Sequence, residues 1–171
     1  MERGLVAGLL GMRPDDERIP DSFEIARKMG LSYSFGIANL TSAHPNSVVL
    51  EVKGKSGRTL EVQACSLGGG RIMINRLDGL DVNCSCEIPT LIVHNLDQPG
   101  HVAEVTSMLA HKSVNIANMS LYRDKRGGSA VMVVEMDQPL PKESLEWLGH
   151  LEGVVKVTYI NVTEGEEDDV L

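Results

Sequence analysis

The sequence predicts an α+β fold with antiparallel sheets, divided between two domains. In the first half, short segments with alternating apolar residues are separated by glycine-rich turns, which is typical of antiparallel hairpins. In the second half, strand-like segments and amphipathic helical segments follow each other in the order βαββαβ. With 42% apolar residues among 171, the chain is long enough to bury two small hydrophobic cores.

The first half contains one predicted helix, which is followed by strands. Asp21 or Ser22 caps the helix, and Gly30 ends it. The segment GKSG separates two alternating strands and is typical of a hairpin turn, whereas LDGLD is predicted to be a loop. The predicted elements are a helix at residues 21–30 and strands at residues 31–37, 47–54, 58–65 and 71–77.

The second half follows the split βαβ plan of ferredoxin-like domains. Its first helix carries an apolar stripe made of Val102, Val105, Met108 and Leu109. We expect the boundary between the two halves near residues 83–87. The predicted strands are residues 89–96, 114–124, 129–137 and 154–162, and the predicted helices are residues 101–112 and 141–153.

Charge and composition exclude several classes of protein. The net charge is −8, and five of the 24 acidic residues lie in the last eight positions, so residues 163–171 are predicted to be a disordered acidic tail. The sequence has no basic stripe and few aromatic residues, which argues against nucleic-acid binding. No apolar run has the length of a membrane span. Three cysteines without a disulfide framework predict a reducing, cytoplasmic location.

The segment HNLDQPGHVAEV joins a predicted strand directly to a predicted helix. The free N–H groups at the start of that helix suit a carboxylate. Asn95 and Asp97 suit an ammonium or amide group, so together the segment suits a zwitterionic amino acid. The alternative is an ordinary turn between a strand and a helix.

The βαββαβ order, with the NLDQPG turn and the later VNIAN strand start, resembles an ACT domain over residues 88–162. ACT domains are regulatory modules that commonly bind amino acids where two such domains pair. The resemblance therefore implies an amino-acid ligand and ACT-mediated homodimerisation. The residues that match the ligand positions of the family are Asn95, Asp97, Gln98, Pro99, Gly100, His101, Asn115 and Ile116.

The first half carries three further motifs: DERIPDS, AHPNSVVLEV and SLGGG. In this order, followed by an ACT domain, they resemble the beta subunit of the two-subunit iron–sulfur-dependent L-serine dehydratases. The resemblance implies that residues 1–84 form the beta domain, whose fold is related to a domain of some phosphoglycerate dehydrogenases. It also implies an alpha subunit as partner and conversion of L-serine to pyruvate and ammonia. In that family a 4Fe–4S cluster on the alpha subunit acts as Lewis acid on the substrate hydroxyl, and this chain supplies no metal ligand.

Members of that family usually begin with a serine-rich loop ending in SSSHT, which belongs to the active-site region. This chain begins with MERGLVAGLLG instead. We therefore expect the first domain to be incomplete at its N-terminus.

His44 and Asn46 are the candidate catalytic residues of the first half. A histidine can move a proton near neutral pH, and an asparagine can hold a carboxylate. The alternative is a simple turn, because Pro45 fixes an extended entry into the following strand. The resemblance implies that His44 and Asn46 face the catalytic centre of the alpha subunit.

The glycine run Gly68, Gly69 and Gly70 allows two interpretations. A segment without side chains permits close approach by another chain or a small ligand, or it forms a structural bulge.

The spacing of the three cysteines argues against an iron–sulfur cluster site in this chain. Cys84 and Cys86 share a face if extended, but Cys65 lies in another strand and the C-x-C spacing is too narrow for cluster loops. Buried or linker thiols are the expected state.

Three functions remain to be compared. The first is an enzyme subunit, the beta chain of an L-serine dehydratase. The second is a stand-alone ACT-domain protein that binds an amino acid and regulates. The third is a non-catalytic fragment. The first is the prediction, because the motifs of both halves occur together and in the family's order.

Overall fold

The computed structural model describes residues 1–41 and 43–161. They fall into two compact units, Met1–Thr41 and Ser42–Leu171. The predicted acidic tail, residues 163–171, lies outside the described residues. The predicted division into domains at residues 1–84 and 88–162 stays a prediction.

The first unit is built on two short helices. Helix α1 (Glu2–Leu9) was not predicted, and helix α2 (Ser22–Met29) follows a 3₁₀ turn. Val6 and Ala7 of α1 and Ala26 of α2 are buried, and the two helices contact each other. The Oγ of Ser22 donates a hydrogen bond to the Arg3 carbonyl at 3.0 Å. Gly30 ends α2 in the left-handed conformation, as predicted.

The strand predicted at residues 31–37 is wrong, because this segment is a loop. Its aromatic rings pack on α2 instead of entering a sheet: Tyr33 and Phe35 lie 5.3 and 6.1 Å from the ring of Phe23. Met29, the last residue of α2, is 64% exposed.

The second unit begins with an antiparallel sheet in which neighbouring strands follow each other along the chain. Its strands are β1 (Ser47–Lys53), β2 (Thr59–Gly68), β3 (Arg71–Leu77) and β4 (Leu80–Cys84). The predicted hairpin is confirmed, since Leu50 pairs with Val62 across β1 and β2. The predicted loop LDGLD is wrong beyond Gly79, because β4 begins at Leu80 and pairs with β3.

The second sheet confirms the βαββαβ prediction. Its elements are β5 (Thr90–Leu96), α3 (His101–His111), β6 (Ile116–Arg123), β7 (Ser129–Met136), α4 (Lys142–Gly149) and β8 (Val154–Ile160). The strand order is β6-β7-β5-β8, so β5 and β7 are central and β6 and β8 are edges. This is the arrangement that keeps both crossovers on one face of the sheet.

Helices α3 and α4 cover one face of this second sheet. Val105, Met108 and Leu109 are buried there, as the apolar stripe predicts. Val102 is 37% exposed and therefore lies outside the stripe, contrary to the prediction. The strand residues facing these helices include Leu91, Val93, Met132, Val134 and Met136.

The first sheet covers the other face. Val131 and Val133 alternate with the helix-facing residues of β7 and are buried against Ile74 and Leu77 of β3. The central strands are therefore apolar on both sides, as expected for strands buried between two layers. The second unit thus has three layers: the first sheet, the second sheet, and the two helices.

Candidate functional site

The turn between β5 and α3 is shaped by backbone hydrogen bonds to two neighbouring segments. The N–H of Leu96 donates to the Gly153 carbonyl at 2.9 Å, and the N–H of Asp97 donates to the Gly128 carbonyl at 2.9 Å. Gly100 has a φ of 110°, which only glycine adopts readily, and it precedes the first residue of α3. The N–H groups of the first helical turn therefore point out of the end of the helix, where an anion is favoured.

Two buried polar side chains lie at this turn with unused hydrogen-bonding capacity. His101 is 7% exposed and Asn95 is 5% exposed. Within the part of the chain that the structure describes, both ring nitrogens of His101 and the Oδ1 of Asn95 have no hydrogen-bond partner. The Nδ1 of His101 lies 3.4 Å from an Oε of Glu104, a contact that attracts when the ring is protonated. These are the polar atoms at the turn before α3 that could donate or accept a hydrogen bond with a bound small molecule.

The start of β8 closes over His101. A Cβ on Gly153 would lie 2.6 Å from the His101 Nε2, and Gly153 has a φ of 79°. Both the backbone conformation and the space therefore require glycine at this position. Sequence reasoning missed Gly153, although a glycine directly before a strand was a signal that could have identified it.

Asp97 already has partners in the chain. Its Oδ2 accepts hydrogen bonds from the Gly127 N–H at 2.9 Å and from an Arg123 guanidinium nitrogen at 3.1 Å. The Gly127 N–H, together with Arg123, holds the pKa of Asp97 below its usual value. This carboxylate fastens the turn to the hairpin between β6 and β7. Gln98 and Pro99 follow it on the exposed outer side of the turn.

Asn115 and Ile116 lie at the opposite end of the sheet. Ile116 pairs with Met136 at the end of β7, whereas Asn95 pairs with Ala130 near its start. At about 3.3 Å per residue, these ends of the sheet are about 20 Å apart. The structure therefore brings Asn95, Asp97, Gly100 and His101 together but leaves Asn115 and Ile116 away from them within one chain. The side chain of Asn115 donates to Asp137 at 2.6 Å.

His44 and Asn46 form an exposed turn before β1. The N–H of Asn46 donates to the His44 Nδ1 at 3.2 Å, and the Ser47 hydroxyl donates to the His44 carbonyl at 2.6 Å. Because Nδ1 accepts, the proton of the neutral ring lies on Nε2. His44 therefore offers an exposed donor to solvent, and its predicted catalytic role stays a prediction.

The three glycines form the turn between β2 and β3. Gly68 pairs with Arg71, so Gly69 and Gly70 are the two turn residues, and a register shift separates Ser66 from Gly68. All three have positive φ values between 62° and 86°, and a Cβ on any of them would meet no described atom within 4 Å. The backbone of a tight hairpin turn next to a bulge therefore requires them. Their predicted contact with another chain or a small ligand stays a prediction.

A charged cluster that sequence reasoning missed joins the two sheets. The Nζ of Lys156 lies 2.5 Å from an Oδ of Asp78 and donates to the Thr59 carbonyl at 3.0 Å. Partial burial acts to raise the pKa of Asp78, but the hydrogen bond from Lys156 holds it below its usual value. His94 lies 3.7 Å from the same Oδ, and its burial lowers the pKa of the ring. Residues this far apart in sequence leave no local signal.

The cysteines do not offer a cluster site. Among residues 1–41 and 43–161, no group of three or more histidine, cysteine, aspartate or glutamate side chains is arranged to hold a metal ion. Cys65, Cys84 and Cys86 are free and buried. Ala64 pairs with Ile74, and Ile74 lies with Cys84 in the core between the sheets. Because neighbouring residues of a strand face opposite sides of the sheet, Cys65 lies on the other face from Cys84. The described residues therefore do not fit a 4Fe–4S cluster.

The helices of the described residues include none that is long and apolar enough to cross a membrane.

Comparison with known proteins identifies the family. An ACT-domain model matches residues 89–146. The probable L-serine dehydratase beta chain of Bacillus subtilis is 32% identical over 156 residues, which is 91% of this chain and 70% of the relative. The L-serine dehydratase beta chain of Peptoniphilus asaccharolyticus is 32% identical over 162 residues, 94% of this chain and 73% of the relative. A D-3-phosphoglycerate dehydrogenase of Methanocaldococcus jannaschii is 30% identical over 90 residues, 53% of this chain and 17% of the relative. The chain belongs to the family of L-serine dehydratase beta chains.

Proposed function

We propose that this chain is the beta subunit of an L-serine dehydratase and that, with an alpha subunit, it deaminates L-serine to pyruvate and ammonia. The observation that carries the proposal is the 32% identity to two beta chains over more than nine tenths of this chain. We expect the 4Fe–4S cluster on the alpha subunit, because the described part of this chain lacks a set of ligands for it. Free, buried thiols suit a reducing cytoplasm, which is where we place the enzyme.

In this proposal His44 and Asn46 reach into the active site of the alpha subunit. Both side chains are exposed in the isolated chain, so a partner surface can cover them. The Nε2 proton of neutral His44 would donate to an oxygen of the substrate, and the amide of Asn46 would hold its carboxylate. Their shared turn keeps the two side chains in a fixed relation.

The experiment is co-expression of this chain with the alpha chain from the same organism, followed by purification without oxygen. We expect pyruvate to form from L-serine only when both chains are present. A stable, cluster-loaded complex that forms no pyruvate would contradict the proposal. A chain that folds and binds an amino acid but never associates with an alpha chain would favour the stand-alone regulatory function.

We further propose that the turn before α3 binds L-serine or a related amino acid. The N–H groups at the start of α3 suit the carboxylate, and the neutral ring of His101 adds one N–H donor beside them. The buried Oδ1 of Asn95 is an acceptor that suits the ammonium group. Asp97 would act indirectly by holding the turn in place, since its carboxylate is occupied by Arg123 and Gly127.

The same site supports the proposed homodimer. Strand β6 is an edge strand, and Met119 and Leu121 on it are 38% and 48% exposed. If two copies pair antiparallel along β6 about a two-fold axis, Ile116 of the partner subunit lies beside Arg123. Because Arg123 contacts Asp97, Asn115 of the partner subunit then approaches the turn. The ligand positions that are separated within one chain would be united across two chains.

Replacing Leu121 tests the pairing of β6. We expect Leu121→Glu to shift the chain from dimer to monomer in sedimentation equilibrium, because it places a charge at an apolar contact. Val155→Glu is the matched control, since Val155 lies on the other edge strand and is 73% exposed. A Leu121→Glu chain that remains a dimer, or a Val155→Glu chain that becomes a monomer, would contradict pairing through β6.

A further inference from the structure

Cys84 and Cys86 form a pair of thiols that the proposed activity does not use. Cys84 is the last residue of β4, and Cys86 lies two residues on in the segment leading to β5. Their sulfur atoms are 3.2 Å apart. A disulfide bond is about 2.05 Å long, so the sulfur atoms need to move only about 1 Å to form one. The exposed fractions of Cys84 and Cys86 are 1% and 5%.

The backbone at Cys86 is unusual for a residue with a side chain. Its φ is 55°, in the left-handed region that glycine and asparagine normally occupy. Asp78 and Ser113 are the other described non-glycine residues with a positive φ, so the conformation is uncommon in this chain. Both thiols lie in the core between the two sheets, with Ile92 and Val131.

The environment makes the two thiols unequal. Hydrogen bonding from Cys86 lowers the pKa of Cys84, while burial and the carboxylate of Glu135 act in the opposite direction. The same hydrogen bond, together with burial, raises the pKa of Cys86. The shared S–H···S contact favours one thiolate beside one neutral thiol, which is the arrangement from which an attacking and a resolving cysteine react.

We propose that Cys84 and Cys86 are a redox-active dithiol site that a peroxide oxidises to an intramolecular disulfide. One of the two sulfur atoms attacks a peroxide oxygen as the thiolate: an S–O bond forms, the O–O bond breaks, and the departing hydroxide takes up the thiol proton as water. The other sulfur then attacks the oxidised one: an S–S bond forms, the S–O bond breaks, and a second water leaves. In total, two thiols and one hydrogen peroxide give one disulfide and two waters.

Cys65 provides a matched control within the same chain. Its exposed fraction, 4%, is similar to that of Cys86, but Cys65 lies in β2 on the other face of the first sheet. Trypsin separates the sites, because residues 77–112 form one peptide that carries Cys84 and Cys86, and Cys65 falls in another. Oxidation of the pair is therefore visible as the loss of two hydrogen atoms from a single peptide.

The test exposes the full folded chain to hydrogen peroxide, alkylates the remaining thiols and analyses the tryptic peptides by mass spectrometry. We expect the peptide of residues 77–112 to form the disulfide at least roughly tenfold faster than Cys65 is oxidised, because the sulfur atoms of Cys84 and Cys86 are 3.2 Å apart, whereas the similarly buried Cys65 lies on the other face of the sheet from both. The Cys65→Ser variant should behave in the same way. In Cys86→Ser, a sulfenic acid at Cys84 should react with dimedone. Oxidation at Cys65 first, or disulfides only between chains, would overturn the proposal.

A second measurement does not depend on the folding of the Cys84 and Cys86 variants. Phenylarsine oxide binds paired thiols through two As–S bonds, so it probes whether the two sulfur atoms can act together. We expect one arsenical per chain in both the unmodified chain and Cys65→Ser, with loss of alkylation at Cys84 and Cys86 only. A chain that binds no arsenical, or loses it in Cys65→Ser, would overturn the proposal.

Discussion

The turn before β1 and the turn before α3 both carry residues that suggest chemistry, yet their environments differ. At the first turn, His44 and Asn46 are exposed, and the acceptor Nδ1 is used locally. At the second turn, His101 and Asn95 are more than nine tenths buried, with polar atoms that have no described partner. An exposed turn acquires chemistry only when another surface covers it. A buried turn with unpartnered polar atoms offers them to a small ligand instead. We therefore propose that the first site depends on a partner and the second on a ligand.

The strongest test of the first turn is His44→Gln, which keeps a polar side chain but removes the imidazole. We expect kcat of the complex with the alpha subunit to fall about 100-fold, as is usual when a proton-transfer or donor group is lost. Binding of L-serine to the isolated chain should not change. His150→Gln is the control, because His150 is an exposed histidine on the segment after α4. Equal activity of His44→Gln and His150→Gln would remove His44 from the catalytic assignment.

Gly100→Val tests the second turn. A valine at a φ of 110° distorts the start of α3, so we expect L-serine binding measured by calorimetry to weaken roughly tenfold or more. Gly57→Val is the matched control: Gly57 also has a positive φ, 84°, but lies in the hairpin between β1 and β2. Unchanged binding in Gly100→Val would refute the assignment of this turn, as would equal weakening in both variants.

His101→Leu separates stability from binding. Without ligand, a buried unpartnered imidazole is replaced by an apolar side chain, so the free energy of unfolding should rise by up to about 1 kcal/mol. With ligand, the increase in melting temperature caused by L-serine should disappear. His111→Leu, an exposed change at the end of the same helix, should leave that increase intact. Loss of stability in ligand-free His101→Leu would mean that the ring is satisfied after all.

The smallest expected effect concerns neither turn but the ion pair of Asp78 with Lys156, which joins the two sheets. Because the pKa of Asp78 is lowered on folding, its contribution is complete above its ordinary pKa and is lost as pH falls through the lower folded value. Asp78→Asn should therefore reduce the free energy of unfolding at pH 7 by less than about 1 kcal/mol, since the pair is partly exposed. In urea titrations the difference from the unmodified chain should shrink as the pH falls below the ordinary pKa of aspartate, and it should vanish once Asp78 is protonated in the folded chain. A difference that persists at low pH would mean that the effect comes from packing.

The order of elements in the second half could be predicted from sequence because each element has its own periodic pattern. The segment SAVMVVEM shows what an alternating pattern does not predict, namely whether the second face of a strand is also buried. Met132 and Val134 alternate along the strand and face the helices, but Val131 and Val133 are just as apolar, because a second layer covers the other face of the strand. The short strand β4 and helix α1 were not predicted, because glycines and aspartates interrupt their apolar patterns.

Only the part of the candidate site whose residues are neighbours in the sequence could be predicted. The NLDQPG turn is a continuous motif, so Asn95 and Gly100 could be found from the sequence. The contact of Gly153 with His101, and that of Lys156 with Asp78, join residues that are 52 and 78 positions apart. No spacing rule applies to such pairs, because the arrangement of the strands alone brings them together. For the same reason, the sequence made Asn115 a candidate ligand residue but could not place it at the far end of the sheet from Asn95.

The three-layer arrangement of the second unit limits the stoichiometry of any larger assembly. Both faces of the second sheet are covered, one by α3 and α4 and the other by the first sheet. Self-association through that sheet is therefore confined to its edges. A two-fold contact along β6 occupies the β6 edge of both copies, so this contact alone gives dimers and never open-ended assemblies. We accordingly expect the complete enzyme to contain an even number of beta chains.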